Sequence, residues 1–418
     1  MSFVRSADAS PAPAGDDTER LALGRVLLAI GGVYTAQSLV GGLTFQGMPA
    51  VLRAEGAALD AIGLISFAML PWALKFLWAP AVERYRLPHG APWRSRRIVV
   101  TGELVAAAAI SALALVAPTS TAPLLAILGV VALASATVDI ACDGFAVQQL
   151  SARDRSWGNT AQVGGGYLGI VFGGGLFLVL VASLGSASAM AIMAVLLLLL
   201  TLPFALTREP RLAMNDAAPH RPSLRFALMR TEVRTGLFIT AVFEVGIRIA
   251  QGMVSPFLVD RGLDLSSLGL LNGFGGVAAG LLGTLLGGTA ARALGSDRAV
   301  VLAILLQAAV LALLLLASLT GLTSVELLVT IVVAKTVVMA FGFVTLYSLL
   351  MGYSSLRQAG VDFTLFQCAD AGVAAIGGLG AGVLAQNLGY DACFALAAGA
   401  SIVASLTIPV LLRRIRSR

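Results

Sequence analysis

Apolar residues run through this chain in windows of about twenty, the length needed to cross the hydrocarbon of a bilayer, and polar positions gather between them. About twelve such windows can be placed, near residues 24–47, 61–81, 98–117, 122–147, 158–183, 187–206, 235–257, 267–290, 298–318, 325–350, 360–386 and 391–411. The pattern predicts an all-α membrane protein. The longest internal polar segment, 207–234, has six windows on each side, so the expected organisation is a six-helix bundle over 23–206, a cytoplasmic linker, and a second bundle over 235–412. Residues 1–22 read as a disordered cytoplasmic tail and 413–418 as a basic one.

Charge fixes the expected orientation. With the N-terminus inside, inner loops hold Arg84, Arg86, Arg94, Arg96, Arg97, Arg153, Arg155, Arg208, Arg292 and Arg357, and the middle linker adds more, whereas outer loops hold only Arg53 and Arg261. Arginine enriched on the cytoplasmic side is the usual topological signal, and it puts both termini in the cytoplasm. A short internal echo, APAVER at Ala79–Arg84 and GGTAAR at Gly287–Arg292, places an Arg at the same inner corner of each half.

Polar residues inside the windows are the candidates for function, because an ionisable side chain in a spanning helix costs about 2.5–3.5 kcal/mol on insertion scales and normally faces a bundle interior or a wet cavity. Asp139 and Asp143 lie four residues apart in the fourth window and project from one helical face. The two lysines of the chain, Lys75 and Lys335, both fall inside windows. Lys75 lies at a depth similar to Asp139, so it either pairs with that acid or snorkels toward the inner surface beside Glu83. In the seventh window Thr240, Glu244, Arg248, Gln251 and Ser255 make one polar stripe. Glu244 and Arg248 either neutralise each other or wall a cavity in which Arg248 attracts an anionic or oxygen-rich solute. With Lys335 and Asp370 at a similar depth, a four-charge network is expected in the second half. Tyr34, Gln37, Ser38, Gly41 and Phe45 form an uncharged cavity face in the first window, and Asn159, Gln162 and Gly166 form another in the fifth. Glu103, Asp143 and Asp362 read as acids near inner helix ends, neutralised by neighbouring arginines. Glu83, Arg84, Asp143 and Arg292 are the candidate gating or inner-loop contacts.

Glycines recur every four residues at Gly165, Gly169 and Gly173, and again in the pairs Gly276/Gly280 and Gly283/Gly287. Such faces let helices approach closely, either as static packing or as surfaces that slide during transport.

Composition agrees with the windows: 58% of the 418 residues are hydrophobic and 12% charged, far from a soluble domain. The net charge of +6 is then mainly topology rather than a nucleic-acid footprint. Cys142, Cys368 and Cys393 are widely separated and lack a metal-ligand spacing, so no disulfide framework, metal site or cofactor is expected. Neither lysine stands in a Walker-type phosphate loop, which argues against an ATP-driven pump of that kind, and the aspartates lack a companion catalytic motif, which argues against an enzyme.

Two six-helix halves with buried charges resemble the major facilitator superfamily over nearly the whole chain. The usual signature after the second span is present in degenerate form, with Glu83–Arg84 as the acid–Arg pair and Ala79 where Gly is frequent. PWALKFLWAPAVERY (Pro71–Tyr85), TVDIACDGFAVQQL (Thr137–Leu150) and WGNTAQVGGGYLG (Trp157–Gly169) are similar to a branch shared by AmpG-like muropeptide permeases, acetyl-CoA transporters and single-chain siderophore permeases of the rhizobactin and pyochelin type. EVGIRIAQGMVSPFLVDRGLDL (Glu244–Leu265) is most similar to the siderophore permeases. The short central loop leaves no room for the extra spans that AmpG-like proteins often carry. The resemblance therefore implies a monomeric bacterial inner-membrane importer that carries a siderophore with its iron from periplasm to cytoplasm, coupled to protons. A muropeptide or acyl-CoA permease is the alternative.

Overall fold

A computed structural model describes residues 21–56, 62–88, 92–116, 121–209 and 220–416. The first twenty residues, His89, Arg211 and the middle of the linker therefore lie outside the described residues. Long helices dominate, as apolar runs without water must satisfy every backbone group internally. They are α1 (Leu23–Ala54), α2 (Leu64–Leu77 continued by Ala79–Arg86), α3 (Ser95–Leu113), α4 (Thr121–Gln149), α5 (Arg155–Leu184) and α6 (Ser186–Ala205), then α7 (Thr231–Asp260), α8 (Ser267–Leu294), α9 (Ser296–Leu319) and α10 (Val325–Tyr353). The 58-residue stretch Ala359–Arg416 breaks at Gly389, where φ is 79° and ψ 176°, into α11 (359–388) and α12 (390–416). That is a positive φ glycine tolerates and other residues avoid. Gly185, with φ 82° and ψ 160°, makes the corresponding one-residue joint between α5 and α6. The fold is thus an all-α membrane architecture of two six-helix bundles.

Packing repeats between the halves. In the first, α1 packs on α5 and α6, α3 on α4 and α6, and α2 on α4; in the second, α7 packs on the α11–α12 stretch, α9 on α10 and α12, and α8 on α10. Contacts across the halves, α5 with α8 and α2 with α11, and likewise α5 with α10 and α4 with the α11–α12 stretch, are related by the same pseudo-symmetry. One apolar cluster is shared by the halves and includes Phe145 and Phe204 with Phe243, Phe363 and Phe366, while separate clusters form around Phe177 in the first half and around Phe257 and Phe394 in the second. Phe145–Phe204 and Phe257–Phe394 are in tilted or edge-on ring contact.

The glycine faces separate into two kinds. A Cβ added at Gly169 or Gly173 would lie 2.4 Å or 1.9 Å from the backbone oxygens of Thr35 and Leu39, so the α5 glycines serve close packing on α1 inside one bundle. In α8, Gly283 and Gly287 lie against the α10 backbone in the same bundle, whereas Gly280 receives the Tyr167 ring and Gly288 the Thr160 hydroxyl from α5 of the other half.

Two local departures from ideal helix shape the interior. α2 bends by 61° at Trp78, ahead of Pro80, whose ring removes an N–H from the ladder. Single wider turns occur at Leu43–Gly47 in α1, Val171–Leu176 in α5 and Leu271–Gly275 in α8. Turns of this kind often mark functional positions. The linker is partly structured: a short helix, Leu224–Met229, is capped by Ser223, and Ser223 and His220 both bond to Gln358 at the start of α11.

Candidate functional site

A cavity of about 470 Å³ lies between the halves. It is walled by Tyr34, Gln37, Ser38, Phe45 and Gln46 of α1, by Met69, Trp72 and Lys75 of α2, and by Asp139 and Gln162. Tyr347 of α10 and Gln367 of α11 complete it from the second half. The helix registers put it between mid-depth and the end of the molecule opposite the arginine-rich loops.

Its floor is ionic. The Lys75 ammonium, buried where the bent α2 approaches α4, donates to Asp139 and to Gln367. Lys75 therefore meets the acid at its own depth and does not run to Glu83. Gln37 faces the same carboxylate, and with its amide nitrogen assigned toward the acid it donates to Asp139 Oδ1 at 2.8 Å. One turn deeper, Asp143 accepts from the Tyr34 hydroxyl at 2.8 Å and from Gln162 at 3.4 Å, and its second oxygen has no partner among the described residues. This corrects the expectation for Asp143: it belongs beneath the cavity floor, held by neutral groups, rather than among inner-loop arginines, because its face of α4 is turned toward α1 and α5.

In the second half, Arg248 Nη2 donates to Asp370 Oδ1 at 2.5 Å, and its Nε lies 3.1 Å from Glu244. The Tyr347 hydroxyl donates to the other Asp370 oxygen at 2.8 Å, and the guanidinium sits 4.9 Å from the Phe343 ring centre. Arg248 is thus already committed to two carboxylates, which corrects its expected role as a free anion attractor. The four-charge network also contracts to three. Lys335 donates to Gln251, and among the described residues no carboxylate lies within 4 Å of it.

The arginine-rich end is sealed by contacts that cross between halves. Arg292 pairs with Asp154 at 2.8 Å, Gln148 donates to the Leu356 carbonyl at 2.8 Å, Gly360 N–H donates to Glu83 at 3.1 Å, and Asn159 reaches Ser348 at 3.4 Å. Glu83 pairs with Arg86 at 2.8 Å, not with Arg84, since three residues along a helix bring side chains together and adjacent ones diverge. Arg86 also donates to Gln148 at 2.7 Å, while Arg84 donates to the Pro222 carbonyl of the linker. Asp362 is held by Arg230 at 2.6 Å and by Gln358 at 2.7 Å, rather than by Arg357. Glu103 is fully buried and has no hydrogen-bond partner among the described residues, so Arg96 and Arg97 do not neutralise it.

Sequence reasoning missed Gln46, Gln148, Tyr347 and Gln367, all of which join the cavity or its seal. Gln367 had a signal: it precedes Asp370 by three residues and so shares its face of α11.

Residues 26–373 match the Major Facilitator Superfamily. Among curated proteins, an anhydromuropeptide permease of Escherichia coli (strain K12) is 29% identical over 295 residues, which cover 68% of this chain and 58% of that protein. An uncharacterized protein of Haemophilus influenzae is 25% identical over 264 residues, covering 61% of this chain and 62% of that one. The chain thus aligns with less than two thirds of the length of these relatives. Similar solved structures include the FucP transporter in its outward conformation (TM-score 0.68, 14% identity, 94% of this chain and 97% of that one). The human organic anion transporter MFSD10 has a TM-score of 0.70 at 17% identity, covering 93% and 100%. At such identities the likeness concerns the fold alone.

Proposed function

The chain belongs to the Major Facilitator Superfamily and is a membrane transporter rather than an enzyme, and from that premise we propose that it imports an anhydromuropeptide-like solute by alternating access. The observation that carries this reading is the chemistry of the central cavity. Its hydrogen-bonding groups are mostly neutral, and four of them are amides, Gln37, Gln46, Gln162 and Gln367, set beside the faces of Tyr34, Phe45 and Trp72. Amides suit the acetamido and peptide groups of such a solute, and aromatic faces suit the apolar face of a sugar ring. A volume of about 470 Å³ falls within the usual range for small-molecule sites. The relative with a named substrate points to the same class.

The siderophore reading rests on Glu244–Leu265 and on the short central loop, and it finds no counterpart among these relatives. It now stands second to the muropeptide reading.

In the proposed cycle the arginine-rich loops and both termini are cytoplasmic, in a bacterial inner membrane. The described conformation then opens outward, with the cytoplasmic end sealed. Solute enters beside Trp72, replaces the Lys75–Gln367 bridge that ties the halves across the floor, and so favours the inward state. Proton coupling runs through acids whose charge depends on these contacts, Asp139 in the first half and Glu244 or Asp370 in the second. Substrate and proton each bias one two-state equilibrium.

The test is uptake into proteoliposomes of radiolabelled anhydromuropeptide and, in parallel, of a panel of ferric siderophores, with and without an imposed pH gradient. Gradient-dependent muropeptide accumulation is expected. Accumulation of a ferric siderophore without muropeptide uptake refutes the muropeptide assignment and restores the other reading; uptake unchanged by the gradient removes the proton.

A further inference from the structure

Lys335 is a buried cation with no acid within 4 Å among the described residues. Lys75 has Asp139, Arg86 has Glu83, and Arg248 has both Glu244 and Asp370. Lys335 is 2% exposed, and among the described residues its ammonium has a single hydrogen bond, to the side-chain oxygen of Gln251. An ammonium offers three donors, so two have no partner among these residues, in surroundings that penalise an unpaired charge.

A second cavity, about 200 Å³, lies beside it. Val332, Val333, Thr336 and Met339 of α10, from the turns on either side of Lys335, form one wall; the ammonium meets the cavity through its partner Gln251, which belongs to another wall. Asn272 of the wide turn in α8 adds an amide. Gln46 and Ile170 line this cavity and the central one alike, so the two adjoin at those side chains.

We propose that the smaller cavity is an anion subsite in which Lys335, with Gln251 and Asn272, receives a carboxylate of the transported solute. The inference rests on the proposed function in taking the adjoining central cavity as the place where the rest of the solute binds. An entering carboxylate supplies the missing counter-charge and accepts the unmet N–H donors. It also contributes differently to the two conformations, because the subsite is formed by α7, α8 and α10 of one half while Gln46 and Ile170 come from the other.

The experiment measures thermal unfolding of the purified full chain in detergent at fixed ionic strength, titrated with N-acetylmuramate, with its methyl ester, and with inorganic phosphate. Wild type, Lys335→Gln, Lys335→Met and Lys335→Arg are compared, and anhydromuropeptide uptake is measured separately. A charge-assisted contact predicts that wild type binds the free acid about tenfold or more tightly than the ester. K335R retains a preference, K335Q and K335M lose it, and the unliganded stability of K335M does not fall below wild type, as it would if Lys335 served only to hold the helices. Failure of wild type to prefer the acid, persistence of the preference in K335M, or a response to phosphate alone overturns the carboxylate subsite. If muropeptide uptake fails while the Lys335-dependent preference persists, the subsite stands and the solute is another carboxylate.

Discussion

Neutralising one member of the Lys75–Asp139 pair should destabilise the protein far more than neutralising both. The two side chains are 4% and 10% exposed, so each charge depends on the other for most of its compensation. Removing one partner from such a pair typically costs 3–5 kcal/mol, whereas replacing both with neutral groups is often close to neutral. Here the stranded charge keeps an amide, Gln367 for Lys75 or Gln37 for Asp139, and touches the cavity. We therefore expect about 3 kcal/mol for Lys75→Met or Asp139→Asn alone, and about 1 kcal/mol for the double variant. A loss of about 3 kcal/mol lowers the folding equilibrium constant more than a hundredfold. The assay is denaturant unfolding of the four proteins in detergent, followed by tryptophan fluorescence, since Trp72 and Trp78 flank Lys75 within one helical turn. Single effects that add within about 0.5 kcal/mol would show that the two groups do not share a field and would refute the reasoning.

Two further outcomes follow from the packing and the seal. Gly173→Ala forces a methyl onto the Leu39 backbone oxygen and should cost about 1–3 kcal/mol, while Gly175→Ala, with open space around it, should be neutral or slightly favourable; equal thermal stabilities for the two variants would contradict the α1–α5 contact. Arg292→Gln removes a partly exposed ion pair worth about 0.5–1 kcal/mol, so a Ser348→Cys reporter between the halves should react about two- to fivefold faster with an impermeant maleimide from the arginine-rich face. Unchanged labelling would mean that this pair does not hold that end closed.

What could be read from the sequence was set by period, depth and charge. Apolar length gave away the helices, and the equal depth of Lys75 and Asp139 gave away their contact, because a buried charge has few places to go. Charge counting failed where neutral groups do the work. Asp143 is held by a phenol and an amide, and the Lys75 ammonium reaches across to Gln367; a glutamine in an apolar helix announces neither its partner nor its direction. Similar depth also misled for Lys335, because depth specifies a level in the membrane and not an azimuth around the bundle. The bend at Trp78 was legible in Pro80 but indistinguishable by hydropathy from a straight span. The substrate was least legible. In the proposed reading the solute meets Gln37, Gln46, Gln162 and Gln367 together, and these come from three different helices separated widely in sequence.

The buried ion pairs are also distributed in a way that bears on speed. Lys75–Asp139 and Glu83–Arg86 lie within the first half, and Glu244–Arg248–Asp370 lies within the second. A swing of one half against the other carries each of them along intact. What it must part are the Lys75–Gln367 bridge, single hydrogen bonds such as Gln148 to Leu356 and Gly360 to Glu83, and the partly exposed Arg292–Asp154 pair. A neutral bond of this kind is worth about 1 kcal/mol net, and one to a charged group somewhat more. In the proposed cycle, among the described residues, only Lys75 and Glu83 serve both the ion pairs that keep a half folded and the contacts that part: a mutation at Glu244 or Asp370 can weaken the scaffold without quickening the cycle, and one at Arg292 can quicken the cycle without weakening the scaffold.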